Sequence, residues 1–265
     1  MSISGVLHIH STYSYDGKVP LRELKKLFVQ QGLQFACMSE HTDKLTDEQA
    51  AAFAAECRKL SDETFVFVPG FEVPYKDAHV LHLGTDTFIC QFADENSLQL
   101  WREVTPLVVL AHPVRIHFKI DQTLEEVIDG VEIWNQQYEG KHAPRFRSLS
   151  FYKALQQKNP SLIATGGLDL HRVDHLGSPT VVLDTEELSE ASILLALKNG
   201  LFLVESRNLS VTARAEWQVG NKRLAWWRSG ISIIIINLGK FVNATLARLG
   251  WRLPKLLTQV IRARV

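Results

Sequence analysis

Short apolar segments alternate with longer amphipathic segments along most of the chain. The apolar segments have the length and composition of buried strands. They are Val6–His10, Phe35–Ser39, Phe65–Val68, Leu107–Ala111, Val131–Trp134, Leu162–Thr165, Val181–Leu183 and Leu201–Val204. The amphipathic segments have helical periodicity. They are Leu21–Gln31, Asp47–Leu60, Leu124–Ile128, Arg147–Gln157 and Glu187–Lys198.

The order of these elements predicts an α/β fold. Strands that alternate with helices and are apolar on both faces are typical of a parallel sheet, open or closed. About eight strand signals in roughly 205 residues favour a small barrel over a doubly wound sheet. Glu72–Leu83 is the exception, because it predicts a hairpin that turns at residues 75–77. The first strand is not followed by a glycine-rich phosphate loop, which disfavours a dinucleotide-binding domain.

Composition allows one large domain, or a domain with an appendage. The chain has 265 residues, of which 46% are hydrophobic and 22% charged, so it is able to form a packed core. Its formal net charge of +0 conceals an asymmetry. Residues 201–265 carry 11 Lys and Arg against 2 Asp and Glu, whereas residues 1–200 carry 18 against 27. The acidic body disfavours long nucleic acid as a partner, and the basic end partly offsets this.

The pattern changes near Asn208, and we predict two regions, 1–208 and 209–265. Four of the six tryptophans lie in the second region. Polar residues there recur at helical spacing, with apolar residues on a neighbouring face, which predicts a basic, Trp-rich amphipathic helix. The polar stripe is Arg248, Arg252, Lys255, Gln259 and Arg262. Gly250 and Pro254 should weaken this helix.

Three interpretations of this helix stay open. We favour a helix that packs on the barrel with its cationic face in water. The second is peripheral contact with an anionic membrane surface, since Trp-rich helices with an arginine stripe are typical of interfacial helices. The third is contact with nucleic acid.

The sequence predicts a cytoplasmic protein. Its three cysteines, Cys37, Cys57 and Cys90, form no CxxC pair, so neither a disulfide framework nor a thiolate zinc site is expected. The N-terminus lacks the basic start and apolar stretch of a signal peptide. The apolar stretch at 229–239 has 11 residues, fewer than the roughly 20 that a membrane-spanning helix needs.

Histidines and carboxylates are concentrated where the predicted strands end. His8 and His10 close the first strand, and side chains at i and i+2 of an extended chain face the same side. Further candidates follow the later strands, and in α/β barrels such strand ends converge on the active site. They are Asp16, Glu40, His41, Asp43, Glu72, His79, His82, His112, Asp169 and His171.

Imidazole and carboxylate ligands without thiolate suit zinc, manganese or iron. Up to nine such ligands exceed what one ion needs, so two or three ions that share a bridging carboxylate are the simplest interpretation. Clustered cations lower the pKa of a trapped water and neutralise phosphate oxygens. Both effects favour displacement at phosphorus.

The ordered set of motifs over residues 3–205 resembles the polymerase-and-histidinol-phosphatase (PHP) superfamily. The resemblance rests on His8-x-His10, Asp16, Glu40-His41, Gly-Phe-Glu72, Ala-His112-Pro and Asp169-x-His171. It implies a distorted (β/α)7 barrel with a trinuclear metal site that cleaves phosphate esters.

The resemblance also implies how the ligands are shared. One metal would be held by His8, His10, Glu72 and Asp169. Glu72 would bridge to a second metal, which is bound by a hairpin histidine and His112. The third metal would be held by Asp16, His41 and His171.

The chain departs from the family pattern at two places. Glu40 stands where an aspartate is usual, a change that a position outside the ligand set should tolerate. The hairpin offers both His79 and His82, which face opposite sides of a regular strand. We favour His79, because its spacing in His-Val-Leu-x-x-Gly is more familiar in the family.

The mechanism that we expect is attack on phosphorus by a metal-bridging hydroxide. Asp43 or Glu40 would orient a metal-bound histidine. Arginines near the strand ends would grip the substrate phosphate, and the best placed are Arg115, Arg172 and Arg145.

The sequence therefore predicts a metal-dependent phosphoesterase. Its substrate would be a small phosphomonoester, or a nucleotide or short oligonucleotide. The alternative is a metal-binding scaffold or regulatory module without turnover, which the nearly complete ligand set disfavours.

Overall fold

The structure is a computed structural model that describes residues 1–88, 101, 103–207 and 209–220, and the single positions 231, 234, 238, 242 and 245. Its strands are β1 (Ser2–Ile9), β2 (Phe35–Met38), β3 (Glu40–His41), β4 (Val66–Val68), β5 (Gly70–Tyr75), β6 (Ala78–Leu83), β7 (Leu107–Leu110), β8 (Gly130–Asn135), β9 (Ile163–Gly167), β10 (Thr180–Asp184), β11 (Phe202–Ser206), β12 (Leu209–Thr212) and β13 (Trp217–Gly220). Its helices are α1 (Leu21–Gln30), α2 (Asp47–Leu60), α3 (Gln122–Val127), α4 (Gln136–Glu139), α5 (Phe146–Lys158) and α6 (Glu190–Asn199).

The predicted elements are found, most within one to three residues of their predicted ends. Helix α2 has the predicted bounds, because Thr46 and Gln49 form a capping box that fixes its first turn. Helix α6 ends at Gly200, which adopts the left-handed conformation that glycine tolerates best. The hairpin of β5 and β6 turns at residues 76 and 77, as expected.

The described strands form two mixed sheets. One has the order β13-β12-β11-β10-β1-β2-β4, and the other β3-β5-β6-β7-β8-β9. The pairs β1–β2, β2–β4, β3–β5, β7–β8 and β8–β9 are parallel. The expectation of a parallel sheet is wrong for β10–β13, where every pair is antiparallel and β10 also pairs antiparallel with β1. For β11–β13 the connections explain this, because two residues between β11 and β12, and four between β12 and β13, are too few for a parallel crossover.

The two sheets meet at the end of β1. The backbone of Leu7 and His8 accepts hydrogen bonds from Leu168 and Leu170, at 3.0 and 3.2 Å. On the other side, the Ser39 amide, between β2 and β3, donates to the Ile9 carbonyl at 2.8 Å. Segments that are distant in the sequence therefore end together around β1.

The core has two apolar clusters. One packs α1 and α2 against the first sheet through buried rings such as Phe28, Phe53 and Phe67. The larger one contains residues of β1, β2, β4–β12, α3, α5 and α6 and includes Trp101, Trp134 and Tyr152. Trp134 donates from its ring nitrogen to the Gly140 carbonyl at 2.9 Å, so it is a core residue rather than a pocket wall.

The predicted division at residue 208 stays a prediction. Strands β12 and β13 belong to the second predicted region, and β12 pairs with β11 of the first. The predicted cationic stripe from Arg248 to Arg262 lies outside the described residues.

A buried carboxyl group in α4 provides a test of this packing. Glu139 is 2% exposed, and burial raises its pKa to about 8. Its carboxyl group accepts from the Asn135 amide at 3.0 Å and meets the Ser148 hydroxyl. An acid whose pKa is raised on folding costs stability as the pH rises between its unfolded and folded pKa values.

Other buried groups also titrate in this range, so the test is the difference between the natural chain and Glu139→Gln. Between about pH 4.5 and pH 8 we expect the free energy of unfolding of the natural chain to fall, relative to that of the variant, by up to roughly 4 kcal/mol. Urea denaturation at several pH values measures this, with the exposed Glu126→Gln as the control. Parallel curves for the natural chain and Glu139→Gln would contradict the assignment.

Candidate metal centre

The site begins at a bulge in β1. His8 has a φ of 62°, and the pairing of β1 with β2 shifts between Leu7 and Ile9. We expected a regular strand here, but its end is irregular. The His8 and His10 rings nonetheless lie together, with centroids 5.2 Å apart. His112 and Asp169 also have positive φ values, 24° and 51°. Non-glycine residues in this region are strained, and such strain is concentrated at functional sites.

One buried carboxylate lies at the centre of the site. Glu72, on β5, is 1% exposed, and five imidazoles surround it. The distances to its oxygens are 2.6 Å from His79 Nδ1, 2.8 Å from His112 Nε2, 3.2 Å from His41 Nδ1, and 3.3 Å each from His8 Nε2 and His10 Nε2. Two oxygens cannot satisfy five rings by hydrogen bonds alone.

Two further carboxylates complete the cluster. Asp169 Oδ1 lies 3.4 Å from His171 Nδ1 and 3.6 Å from His10 Nε2. Asp16, in the loop after β1, lies 3.3 Å from His171 Nε2 and 3.6 Å from His41 Nε2. The structure thus brings all nine predicted ligand residues together.

Eight of these nine fall into four overlapping groups whose ligand atoms lie within 4.8 Å of one another. The groups are His10–His41–His171, His8–His10–Glu72, His8–His112–Asp169 and Glu72–His79–His112. Groups that share members in this way suit more than one adjacent cation.

The residues present fit divalent cations. His10 Nε2 is buried and has no hydrogen-bond partner. His41 Nε2 and His171 Nε2 face each other at 3.4 Å. The donors are imidazole nitrogens and carboxylate oxygens, the set that zinc, manganese and iron prefer.

The two hairpin histidines lie in different surroundings. His79 faces Glu72 in the cluster. His82 is 1% exposed and lies in the core, where Nδ1 is 2.9 Å from Thr105 Oγ1 and the ring meets the Trp101 ring at 4.4 Å. Burial lowers the pKa of His82 to about 3.

Glu132 on β8 contacts the His8 ring at Nδ1, on the side away from Glu72. Its carboxylate lies 2.9 Å from His8 Nδ1, and it accepts from the His112 amide at 2.8 Å and from the Asn135 side chain at 2.9 Å. A carboxylate at Nδ1 requires a proton there, so Nε2, which faces Glu72, is the ring nitrogen that would give its lone pair to a bound cation.

Glu40 acts on His10 through Ser14. The Ser14 hydroxyl donates to Glu40 at 2.5 Å and accepts from the His41 amide at 2.9 Å. Because its only proton is directed at Glu40, it must accept from His10 Nδ1, which lies 3.2 Å away. Nε2 of His10 therefore faces the cluster and is the ring nitrogen that would give its lone pair to a bound cation. The other proposed orienting residue, Asp43, is exposed.

The pKa values of the cluster follow from burial and from these charges. Burial raises the pKa of Glu72, but His8, His10 and other imidazoles outweigh it and hold this pKa well below its usual value. Burial lowers the pKa of His10, yet Asp169 and Glu72 raise it to about 9. Burial and the His10 charge lower the pKa of His41 to about 3. The imidazoles therefore hold the Glu72 carboxylate ionised.

The rim of the site has aromatic and cationic side chains. Tyr15 is 50% exposed and stacks on His41 at 5.2 Å, and the Tyr138 ring lies 5.1 Å from that of His112. Burial and the Asp169 charge raise the pKa of Tyr138 to about 12, so its hydroxyl keeps its proton at neutral pH.

The three predicted arginines differ in their contacts. Arg115 lies 3.3 Å from both ring nitrogens of His79, so it reaches the cluster. Arg145 donates to the Tyr138 carbonyl. Arg172 instead pairs with both oxygens of Asp174, at 2.9 and 3.3 Å. Arg172 is therefore the weakest candidate for a phosphate contact.

Comparison with known proteins places this geometry in a family. A model of the PHP domain matches residues 7–200. The chain belongs to the PHP-domain family. None of the curated proteins matches this PHP-domain chain closely enough to count as a relative. In the described part of the chain, the helices are too short or too polar to cross a bilayer.

Solved structures share the fold of this PHP domain. A two-domain protein from Bacteroides vulgatus that contains a predicted PHP-like metal-dependent phosphoesterase has a TM-score of 0.59 and 16% identity, over 80% of this chain and 66% of that chain. PsfC from Pseudomonas syringae has a TM-score of 0.54 and 13% identity, over 89% and 99%. The lesion-specific endonuclease PfuEndoQ from Pyrococcus furiosus has a TM-score of 0.53 and 16% identity, over 86% and 66%. At these identities the likeness shows the fold alone.

Sequence reasoning missed Glu132, Ser14 and Tyr138. Glu132 lies inside a predicted buried strand, where a charged residue is rare unless it is paired, and that was the available signal. Ser14 and Tyr138 gave no comparable signal, because their contacts depend on the approach of distant segments.

We expect Glu132→Gln to weaken binding of divalent cations by about 10–100-fold. The glutamine side chain has one oxygen and one NH2 group, so it would be unable to accept from both the His112 backbone amide and His8 Nδ1. Competition with a chromophoric chelator measures the affinity, and circular dichroism checks the fold. The exposed Glu63→Gln is the matched control. Equal affinities for Glu132→Gln and the natural chain would refute this role.

Proposed function

We propose that this PHP domain hydrolyses phosphate esters with bound divalent cations. The observation that carries the proposal is the convergence of five histidines on the single buried carboxylate of Glu72. Asp16, Asp169 and His171 extend this cluster.

The proposed assignment gives the site three cations of zinc, manganese or iron. His8, His10, Glu72 and Asp169 would hold the first, Glu72, His79 and His112 the second, and Asp16, His41 and His171 the third. The ligand groups His8–His10–Glu72 and Glu72–His79–His112 support the first two sets, and the distances from Asp16 to His41 and His171 support the third. Such cations would supply an activated water and neutralise phosphate oxygens.

The remaining residues would orient the ligands and the substrate. Glu132 fixes the ring of His8, and Glu40 fixes that of His10 through Ser14. Arg115 lies over His79, where its guanidinium is able to take two phosphate oxygens. The Tyr138 hydroxyl, which keeps its proton, is a further donor beside the cluster.

We also propose that the fold is a distorted seven-stranded barrel. We take β1, β2 with β3, and β5–β9 as the seven strands of the distorted barrel. The bonds from Leu168 and Leu170 to β1 support its closure. Membrane contact through the C-terminal extension and a cytoplasmic location remain proposals.

The substrate class that we propose is a small phosphomonoester, or a nucleotide or short oligonucleotide. The alternative function is a metal-binding scaffold without turnover. The ordered hydrogen bonds behind His8 and His10 favour a working site, because they fix which ring nitrogen faces the cluster.

The protein loaded with manganese should release the aryl group of p-nitrophenyl phosphate, and a chelator should stop the release. Asp169→Asn should lower the rate on the order of 100-fold or more, because it removes a ligand at the centre of the cluster. Absorbance of the released phenol measures turnover, and metal analysis of the same samples reports occupancy.

The exposed Asp184→Asn is the matched control and should keep the full rate. A folded, metal-loaded protein that releases phosphate from no ester would overturn the proposal and favour the scaffold. Equal rates for Asp169→Asn and the natural chain would show that the turnover comes from a contaminant.

A further inference from the structure

The side chain of Asn135 forms hydrogen bonds to two carboxylates of the metal centre and to a helix. Asn135 is the last residue of β8, immediately precedes α4 and is 1% exposed. Its side-chain amide has one oxygen and one NH2 group, and the structure gives hydrogen-bond partners to both. A buried amide whose oxygen and NH2 group are both bonded is fixed in its orientation.

The oxygen of this amide faces the start of α4. Oδ1 accepts from the backbone amides of Gln137 and Tyr138 at 2.9 and 3.3 Å, so Asn135 is the N-cap of the helix. The Asn135 backbone amide in turn donates to the Glu139 carboxyl group at 3.0 Å. Because two N–H donors meet the oxygen, the NH2 group must face the other way. The same cap places Tyr138, whose ring lies 5.1 Å from that of His112.

The NH2 group lies between two carboxylates of the metal centre. It donates to Glu132 Oε2 at 2.9 Å and, over a longer distance of 3.4 Å, to Asp169 Oδ2. The other oxygen of Glu132 lies 2.9 Å from His8 Nδ1. The other oxygen of Asp169 lies 3.4 Å from His171 Nδ1. In both carboxylates, the oxygen that accepts from Asn135 therefore differs from the oxygen that faces these imidazoles.

Strand β9 leaves the space that this arrangement needs. Asn135 pairs with Gly167, and the register between β8 and β9 shifts between Glu132 and Trp134. A Cβ atom on Gly167 would lie 2.1 Å from Glu132 Oε1 and 2.7 Å from the Cβ atom of His8. Because Gly167 has no side chain, Glu132 is able to reach His8 while Asn135 bonds to its other oxygen.

We propose that Asn135 is a positioning residue, which sets the rotation of the Glu132 and Asp169 carboxylates and thereby selects the oxygens that face the metal centre. The last torsion of Asp and Glu side chains is broad, so a carboxylate turns easily unless hydrogen bonds hold it. One NH2 group has a proton for each carboxylate and restricts both rotations, and the cap on α4 fixes the amide itself. The inference rests on the proposed function and adds a residue to it.

Replacement by serine separates this role from the helix cap. Asn135→Ser keeps an oxygen that caps α4 about as well, but its shorter side chain has no NH2 group. The protein loaded with Co²⁺ should then show an altered visible absorption, because this absorption depends on the number and geometry of the ligands. Metal affinity, measured by competition with a chromophoric chelator, and the turnover number with p-nitrophenyl phosphate should both fall about 10–100-fold.

Asn159→Ser is the matched control. Asn159 follows the last residue of α5, where its side chain accepts from the Ser161 amide and hydroxyl at 3.2 and 2.6 Å. This variant should keep the absorption, the affinity and the rate. If Asn135→Ser does not fold, Asn135→Asp should give the same changes, because it keeps the size and the capping oxygen but replaces the donor with an acceptor.

Three results would overturn the inference. They are an unchanged Co²⁺ absorption and affinity in a folded Asn135 variant, equal changes in Asn159→Ser, and failure of both Asn135 variants to fold, which would indicate a purely structural residue. A changed absorption together with no release of phosphate by the natural chain would support the positioning role and refute hydrolysis. Release by the natural chain, with rate and absorption both unchanged in Asn135→Ser, would refute the positioning role and leave hydrolysis in place.

Discussion

The carboxylate of Glu72 is held ionised in the interior by the imidazoles around it. A buried carboxylate is costly unless positive charge or hydrogen bonds compensate it. Five rings within 3.3 Å supply more than its two oxygens are able to accept. Such a cluster becomes balanced when cations lie between its nitrogens and oxygens, so a metal centre explains the arrangement better than a network of hydrogen bonds. Glu132, Glu40 and Ser14 then set the ring nitrogens that face inward.

The backbone contributes to the same constraint. His8, His112 and Asp169 adopt positive φ, which costs a non-glycine residue roughly 1–2 kcal/mol. The bonds from Leu168 and Leu170 to β1 flank two of these residues and hold them in place. Contacts elsewhere in the fold therefore offset the backbone strain that orients these side chains toward the cluster.

Charge is segregated around this centre. The carboxylates inside it and on the acidic body repel anions, whereas the exposed Arg115 guanidinium lies over His79 at the rim of the cluster. A substrate phosphate would meet this cation beside the cluster, so its recognition and its chemistry would depend on adjacent but separate residues.

The sequence alone determined where most elements lie and which residue types follow the strands. Helix α2 was predictable to the residue, because capping and periodicity are local properties of the chain. The nine ligand candidates were also recognisable, because a histidine or carboxylate after a buried strand is a local pattern. Only the tertiary structure decided the antiparallel pairing of β10–β13, the separation of His79 from His82, and the support that Glu132 gives to His8. These features depend on contacts between segments far apart in the chain, and a local pattern of polar and apolar residues carries no information about which segments meet.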